Sequence, residues 1–203
     1  VPKSLFKKVI DKVDKTLYKS KLNYIHLNGE QAVATNGYIL EAIDIPNLDG
    51  IEGFVHPSAI KLIPDKTIKL YTKEHSVYLI FKNGIVVTTY DAKYPNWKEL
   101  KFTKDFKFIN PPIKNIITRL KNFGENILIE YNKKLKFTLK NGKTIAQFEI
   151  PVDYQKGTFK VMVDIKYFYR ILKGHEDFTT TFSKRITIID QKGYQSLSMN
   201  KAV

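Results

Sequence analysis

The sequence predicts an α+β protein in which one order of elements, a strand, a helix and three more strands, occurs four times. A self-similar period of about 50 residues is the first observation behind this reading. The second is punctuation. Asn28-Gly29, Asn83-Gly84 and Asn141-Gly142 each separate two strand-like runs, and Asn-Gly suits the positive φ angles of a type I′ hairpin turn. Third, Pro2, Pro57 and Pro111-Pro112 stand at helix starts, where a fixed φ and a missing N–H do no harm.

Taken in chain order, the first unit enters directly on a helix, Lys3 to Lys19, without an opening strand. Strands near Leu22 to Leu27, Gln31 to Thr35 and Ile39 to Ile45 follow. The second unit reads as strand Gly53 to His56, helix Ser58 to Ile63, then strands near Thr67 to Tyr71, Val77 to Phe81 and Ile85 to Tyr90. The third is strand Asp105 to Ile109, helix Pro111 to Phe123, and strands Ile127 to Tyr131, Leu135 to Leu139 and Thr144 to Pro151. The fourth repeats it with strand Phe159 to Val163, helix Ile165 to Leu172, and strands Thr179 to Phe182, Ile186 to Asp190 and Gln195 to Met199. Units taken in pairs make two domains, 1–102 and 103–203, each of two βαβββ units, with the boundary between Leu100 and Lys104.

Composition supports two small cores or one large one, since 43% of the 203 residues are hydrophobic and 13% aromatic. No apolar run approaches the roughly 18 residues of a membrane span, so no membrane association is expected, and no secretory signal opens the chain. The start at Val1 reads as a trimmed or processed chain. With no cysteine there is no disulfide, thiolate nucleophile or zinc-thiolate site, which fits a reducing cytoplasm. Lys and Arg number 34 against 20 Asp and Glu, a net charge of +14 that favours a polyanionic partner. Charge alone leaves nucleic acid, anionic membrane and a merely soluble lysine-rich surface open.

Placement of the lysines narrows this. At 100° per residue, Leu5, Phe6, Val9, Ile10, Val13 and Leu17 gather on one side of the first helix, and Lys8, Lys12, Lys15 and Lys19 on the other. Lys61 lies on the short second helix. In the third, Ile113, Ile116, Ile117, Leu120 and Phe123 form the apolar stripe and leave Lys114, Thr118, Lys121 and Asn122 outward. In the fourth, Ile165, Phe168, Tyr169 and Leu172 point inward, with Lys166, Arg170 and Lys173 toward solvent. If the units form an arc with their helices on its concave side, these cations line a channel for a phosphate backbone.

No enzyme is expected. His26, His56, His75 and His175 stand at unrelated spacings and read as structural or surface histidines, so neither metal nor cofactor is implied. Gly-rich phosphate loops are absent, and Asp11 with Asp14 reads as charge balance among lysines. Trp97, beside Pro95, reads as packing at a domain end.

Four segments carry a family resemblance. Val33-Ala34-Thr35-Asn36-Gly37-Tyr38-Ile39-Leu40, Phe54-Val55-His56-Pro57-Ser58-Ala59-Ile60 and Tyr94-Pro95-Asn96-Trp97 resemble the corresponding segments of the bacterial DNA polymerase III beta subunit. So do Phe159 to Leu172 together with Ser196-Leu197-Ser198-Met199-Asn200. Their order and spacing resemble that family's middle and C-terminal domains over nearly the whole chain. The resemblance implies a sliding-clamp fold with helices on the DNA-facing side of a six-domain ring, built from three domains per chain in dimers or two in trimers. Two domains here imply a homotrimer closed by a heterologous interface. Its expected contact is the edge strand Ile85 to Thr89, through Ile85, Val86 and Val87, against Phe123, Ile127 and Ile129 of the next chain.

Such a ring slides on double-stranded DNA and reads no bases, because topology holds it while lysines touch phosphates. Its partners, DNA polymerase and clamp-loader type proteins, dock short apolar peptides. Carried over by position, the pocket is Leu22, Thr35, Gly37, Tyr38, Leu40, Pro95, Leu100, Leu197 and Met199. Tyr38, Ile39, Glu99 and the ending Asn200-Lys201-Ala202-Val203 depart from the family's usual residues, which puts its peptide preference in doubt here. Two rival classes stand beside the ring: a non-ring adaptor or decoy with the same fold, and a plain non-sequence-specific DNA-binding protein or nuclease. Two-domain economy points to a phage or other mobile replicon, working in bacterial or infected-host cytoplasm.

Overall fold

The structure is a computed structural model that describes residues 1–13, 21–90, 93–96, 106–109, 111–173, 175–182, 185–190 and 195–199, with the side chains of Lys21, 185–190 and 195–199 outside the description. The chain divides into two compact units, Val1–Glu99 and Leu100–Val203. The boundary expected after residue 102 falls outside the described residues.

In the first unit the elements are α1 (Lys3–Ile10), β1 (Ile25–Asn28), β2 (Gln31–Thr35), β3 (Ile39–Asp44), β4 (Glu52–Val55), α2 (Pro57–Leu62), β5 (Lys69–Lys73), β6 (Ser76–Phe81) and β7 (Gly84–Thr89). In the second they are β8 (Phe106–Ile109), α3 (Ile113–Leu120), β9 (Asn126–Asn132), β10 (Lys134–Asn141), β11 (Thr144–Ile150), β12 (Phe159–Asp164), α4 (Ile165–Leu172), β13 (Phe178–Phe182), β14 (Arg185–Asp190) and β15 (Gln195–Met199). All named strand pairs are antiparallel. β4, β1, β2 and β3 pair in that order, as do β5, β6 and β7. In the second unit the orders are β8, β13, β14, β15 and β11, β10, β9, β12.

The four repeats therefore interlock by exchange: β4, which opens the second repeat, lies beside β1 of the first, and β12, which opens the fourth, lies beside β9 of the third. Alternation explains which side of each strand is buried. On β9 and β10, Ile127, Ile129, Tyr131, Leu135, Phe137 and Leu139 are sealed. The residues between them face out, and there Lys160, Glu130, Lys136 and Glu149 stand in register across four strands. The inner side of the second unit is aromatic. Tyr131 stacks on Phe159 at 6.0 Å and Phe159 on Phe182 at 5.1 Å. The Tyr131 hydroxyl accepts from Gln155 N–H at 2.7 Å. Gln155 in turn binds the backbone of Lys107 through both ends of its amide, which ties β8 to this core.

Several boundaries differ from the sequence reading. α1 stops at Ile10 instead of Lys19: Lys12 N–H bonds Val9 O at 2.9 Å and the chain leaves in turns, while residues 14–20 lie outside the description. The segment expected as strand from Leu22 opens as a 3₁₀ turn, Lys21–Asn23, and the ladder begins at Ile25. α3 covers Ile113–Leu120 and not Pro111 to Phe123, because Pro112 adopts a non-helical ψ of 38° before it and Phe123 N–H closes a turn on Leu120 O after it. β5 starts two residues later than expected, Thr67 being engaged by Pro2.

Each Asn-Gly pair lies at a hairpin, but none of the turns is type I′. Asn28, Asn83 and Asn141 all lack a positive φ. Pairing of Asn141 with Thr144 makes Gly142 and Lys143 the central residues, with φ of 58° at Gly142 alone, which is a type II′ arrangement. Pairing of Phe81 with Gly84 leaves Lys82 and Asn83 central, neither with positive φ. Register, set by which side chains are buried, displaced each dipeptide by one position.

Gly53 on β4 has a φ of 147°, and a Cβ there would lie 2.5 Å from Val77 Cγ2 on β6. Gly53→Ala is therefore expected to lower the urea-unfolding stability of the first unit by about 1–3 kcal/mol, with far-UV circular dichroism otherwise unchanged.

Candidate functional site

The helices lie with apolar sides on the strands: Phe6 and Val9 of α1, Ala59 and Ile60 of α2, Ile113, Ile117 and Leu120 of α3, and Ile165, Phe168, Ile171 and Leu172 of α4 are buried. What remains outward includes several cations, beside Leu62, which is 71% exposed, and the neutral Ser4, Asn115 and Thr118. Lys7 and Lys8 of α1, Lys61 of α2, Arg119 of α3, and Lys166 and Lys173 at α4 are exposed, and Arg170 is half-buried. Lys7 and Arg119 were not among the expected residues, though the same 100° arithmetic places each beside an outward neighbour.

Three expected cations are engaged within the fold. Lys12 is a correction: it is not on an outer basic face but buried, with its Nζ 3.1 Å from Glu41 Oε2 on β3 and each side chain 5% exposed. Glu41 points into the core, where an unpaired carboxylate costs several kcal/mol, and Lys12 is drawn in as its counter-ion. Lys114 Nζ donates to His175 O at 2.7 Å, and Lys121 Nζ sits 4.3 Å from the centre of the Tyr169 ring. These two contacts bind α3 to α4 and its following turn, leaving both lysines half-buried. Lys15 and Lys19 lie outside the described residues.

Of the residues expected to bind partner peptides, Leu22, Thr35, Gly37, Tyr38 and Leu40 converge on the turn between β2 and β3. Thr35 Oγ1 donates to Ile39 O at 2.7 Å and accepts from Gly37 N–H at 3.0 Å, while Asn36 Oδ1 accepts from Tyr38 and Ile39 N–H at 3.0 Å each. The turn forces Gly37 to a φ of 85°, and a Cβ there would meet Leu22 Cδ1 at 3.9 Å, so Leu22 and Gly37 are neighbours. Tyr38 is exposed, Leu40 is buried beneath, and Pro95 is exposed. Leu100 lies outside the described residues; Leu197 and Met199 are on β15, with side chains outside the description.

The stretch that carries Pro95 is pinned by aromatic contacts that sequence spacing did not reveal. Tyr90 stacks on Tyr24 at 4.2 Å, and Tyr94 stacks on His26 at 4.6 Å, with Phe54 5.1 Å from His26 on the other strand. Burial lifts the Tyr94 hydroxyl well above the ordinary tyrosine range. Burial also lowers the His26 pKa, Glu52 pulling more weakly the other way, and His26 Nδ1 is buried without a hydrogen-bond partner.

The expected subunit contact is half corrected. β7 is an edge strand, and its Ile85 and Val87 are 60% and 48% exposed, whereas Val86 turns inward. β9 has a strand on each side, and Ile127 and Ile129 are fully buried. No further strand can pair there, and Phe123, after α3, is half-buried. The edges of that sheet are β11 and β12; β11 offers Ile145, 57% exposed, and Phe148, 38% exposed.

Among the described residues no three His, Asp or Glu are grouped to hold a metal ion. His56 caps α2, its Nδ1 accepting from Ser58 N–H at 3.3 Å, and His175 is buried. A cavity of about 330 Å³ between Phe108, Ile109, Pro111 and Pro112 on one side and Pro151, Val152 and Asp153 on the other is lined by none of the expected site residues.

Comparison with solved structures shows that this arrangement of helices and antiparallel strands is the sliding-clamp fold. The chain matches Caulobacter crescentus pol III beta with a TM-score of 0.82 at 18% identity, over 100% of this chain and 65% of that one. It matches the DNA polymerase sliding clamp from Pseudomonas aeruginosa with a TM-score of 0.80 at 17% identity, over 100% and 66%. For the sliding clamp from Bacillus subtilis the values are 0.82 and 14%, over 100% and 63%. The chain thus spans just under two thirds of the length of these clamps. No family model matches the sequence, and no curated protein matches it either.

Lys12→Ala is expected to destabilise the fold by about 3–5 kcal/mol in chemical denaturation, and Lys12→Met with Glu41→Leu to recover most of that loss. Because the folded His26 pKa lies below its unfolded value near 6.5, its contribution is fully present above that pH and fades as pH falls below it. Urea stability measured at pH 7.5 and 5.5 should drop by more for this protein than for His26→Phe.

Proposed function

We propose that the chain is a DNA polymerase processivity factor, a sliding clamp that closes as a homotrimeric ring around duplex DNA and tethers replication proteins without catalysing a reaction. The observation that carries this is the presence of an exposed cation on each of the four helices, α1 to α4, in a chain whose whole length has the clamp fold. Three copies of the two described units make up a six-domain ring. The exposed cations Lys8, Lys61, Lys166 and Lys173, with Lys7 and Arg119, face the DNA there, and half-buried Lys114, Lys121 and Arg170 add to the positive wall. Phosphate contacts of this kind are loose and sequence-independent, as sliding needs.

Closure follows best by β7 of one copy lying beside β11 of the next. Both are edges, and each exposes apolar residues, Ile85 and Val87 on one and Ile145 and Phe148 on the other, that strand addition covers. Partner proteins dock on the first unit at Leu22, Thr35, Gly37, Tyr38, Leu40 and Pro95. Gly37 leaves the backbone open to a peptide, and the exposed Tyr38 supplies an apolar wall with a polar tip. Such a clamp works in the cytoplasm, beside the polymerase and loader it serves.

Light scattering over a dilution series is expected to give three times the 23.6 kDa chain mass. The ring should persist on nicked circular DNA and be lost from linear DNA, and Lys166→Glu with Lys173→Glu should reduce its retention by about tenfold at moderate salt. A monomer at all concentrations, with or without DNA, would leave the adaptor reading in its place.

A further inference from the structure

The sheet of β5, β6 and β7 in the first unit has two unlike sides. On one, Val77 and Leu79 of β6 are sealed, and Thr88 Oγ1 of β7 donates to Phe54 O at 2.6 Å. Register sets out the other side in three rows. Tyr71, Tyr78 and Val87 stand opposite one another in the middle row. Lys69 leads a flanking row with Ile80 and Ile85, and Lys73 leads one with Ser76 and Thr89. Along β5 the outward order is therefore Lys69, Tyr71, Lys73. Both lysines are exposed, Tyr71 is 53% exposed and Tyr78 is half-buried.

The outward side of β9 to β12 in the second unit is built differently. Its row of Lys160, Glu130, Lys136 and Glu149 carries both signs, and Lys160 and Lys134 pair with Glu130 and Glu149 at 3.5 and 3.4 Å. A side that only needs to stay in water mixes charges in this way. No carboxylate stands in the three rows of the first unit. Asp65 and Glu74 lie beyond the two ends of β5, and Asp65 Oδ2 accepts from Lys82 N–H at 2.6 Å.

Two cations around two aromatic rings, with no anion among them, suit one kind of polyanion. The rings of Tyr71 and Tyr78 are 5.7 Å apart and tilted by 52°, so neither covers the face of the other. A base of any identity stacks on such a ring, while lysines beside it meet the phosphates. In a duplex the base faces already cover one another, and a flat sheet has only phosphates to touch; in a single strand they are open. An acidic peptide would meet the lysines without using the ring faces. We infer that this side of β5 and β6 is a site for single-stranded nucleic acid, in which Tyr71 and Tyr78 stack bases and Lys69 and Lys73 meet the flanking phosphates. It takes no residue from the four helices. The rings stand on β5 and β6, so a strand added along β7 leaves them open.

The test is the fluorescence anisotropy of a fluorescein-labelled oligothymidylate titrated with the full chain at low salt. Tyr71→Ala with Tyr78→Ala is expected to weaken binding by about tenfold or more, and Tyr71→Phe with Tyr78→Phe to leave it within about twofold. Lys69→Ala with Lys73→Ala should reduce the slope of log K against log salt by about 1.4. With 5-iodouracil in the oligonucleotide, ultraviolet light should cross-link it to Tyr71 or Tyr78. No binding by the unaltered chain, or binding that survives the loss of both rings, would overturn the inference. So would loss of binding in Lys166→Glu with Lys173→Glu instead, which would give the strand to the helices. Displacement by polyglutamate as readily as by unlabelled oligothymidylate would also overturn it, because charge alone would then account for the binding. Retention on nicked circular duplex is expected to be unchanged in the tyrosine variants, so this site and the ring are tested separately.

Discussion

The pairing of each opening strand with the first strand of its sister repeat is the constraint from which the rest of the architecture follows. β12 runs into α4 without a loop, so the register that sets Phe159 opposite Tyr131 and Asp164 opposite Asn126 also sets where the helix begins. Asp164 then caps it, its carboxylate accepting from Lys166 and Tyr167 N–H at 2.9 and 3.2 Å. With the first residue of α4 placed, helical periodicity decides that Ile165, Phe168, Ile171 and Leu172 meet the strands and that Lys166 and Lys173 do not. The basic outer side is thus a consequence of strand register, one step removed.

A net charge of +14 overstates what such a surface has to offer. Lys12 neutralises a buried carboxylate, Lys114 holds a backbone carbonyl, and Lys121 lies over an aromatic ring. Lys134 and Lys160 pair with Glu149 and Glu130 on the strand side of the second unit, where exposure makes each pair worth little. The cations left exposed on the helices are fewer, and they include Lys7 and Arg119, which flank the expected positions without being among them. Structural and phosphate-facing lysines are chemically identical; only the nearest carboxylate, carbonyl or ring separates them.

Low identity to the clamps with which the chain shares its fold has a physical explanation. Antiparallel strands need alternation, not particular residues, and short amphipathic helices need an apolar stripe. Both are satisfied here by buried Ile, Leu, Val and Phe in each unit, to which the first adds a tyrosine and histidine cluster around Phe54. Turn chemistry is equally substitutable: three Asn-Gly pairs that look alike in sequence serve at least two different turn geometries.

By itself the sequence determined the order of elements, the repeat, and the side of each helix that is buried, because these depend on spacing within one segment. All four helices and the strands after them lie where that spacing places them, to within a few residues for all but α1, and α4 and β2 coincide with the expected bounds. The turn around Gly37 was legible for the same reason. What required the tertiary structure was every property set by a partner distant in the chain. Lys12 is inward because Glu41 is beneath it, β9 cannot be an edge because β12 returns to cover it, and Tyr94 is held because His26 waits on β1. Periodicity reports which way a side chain points, but not what it meets.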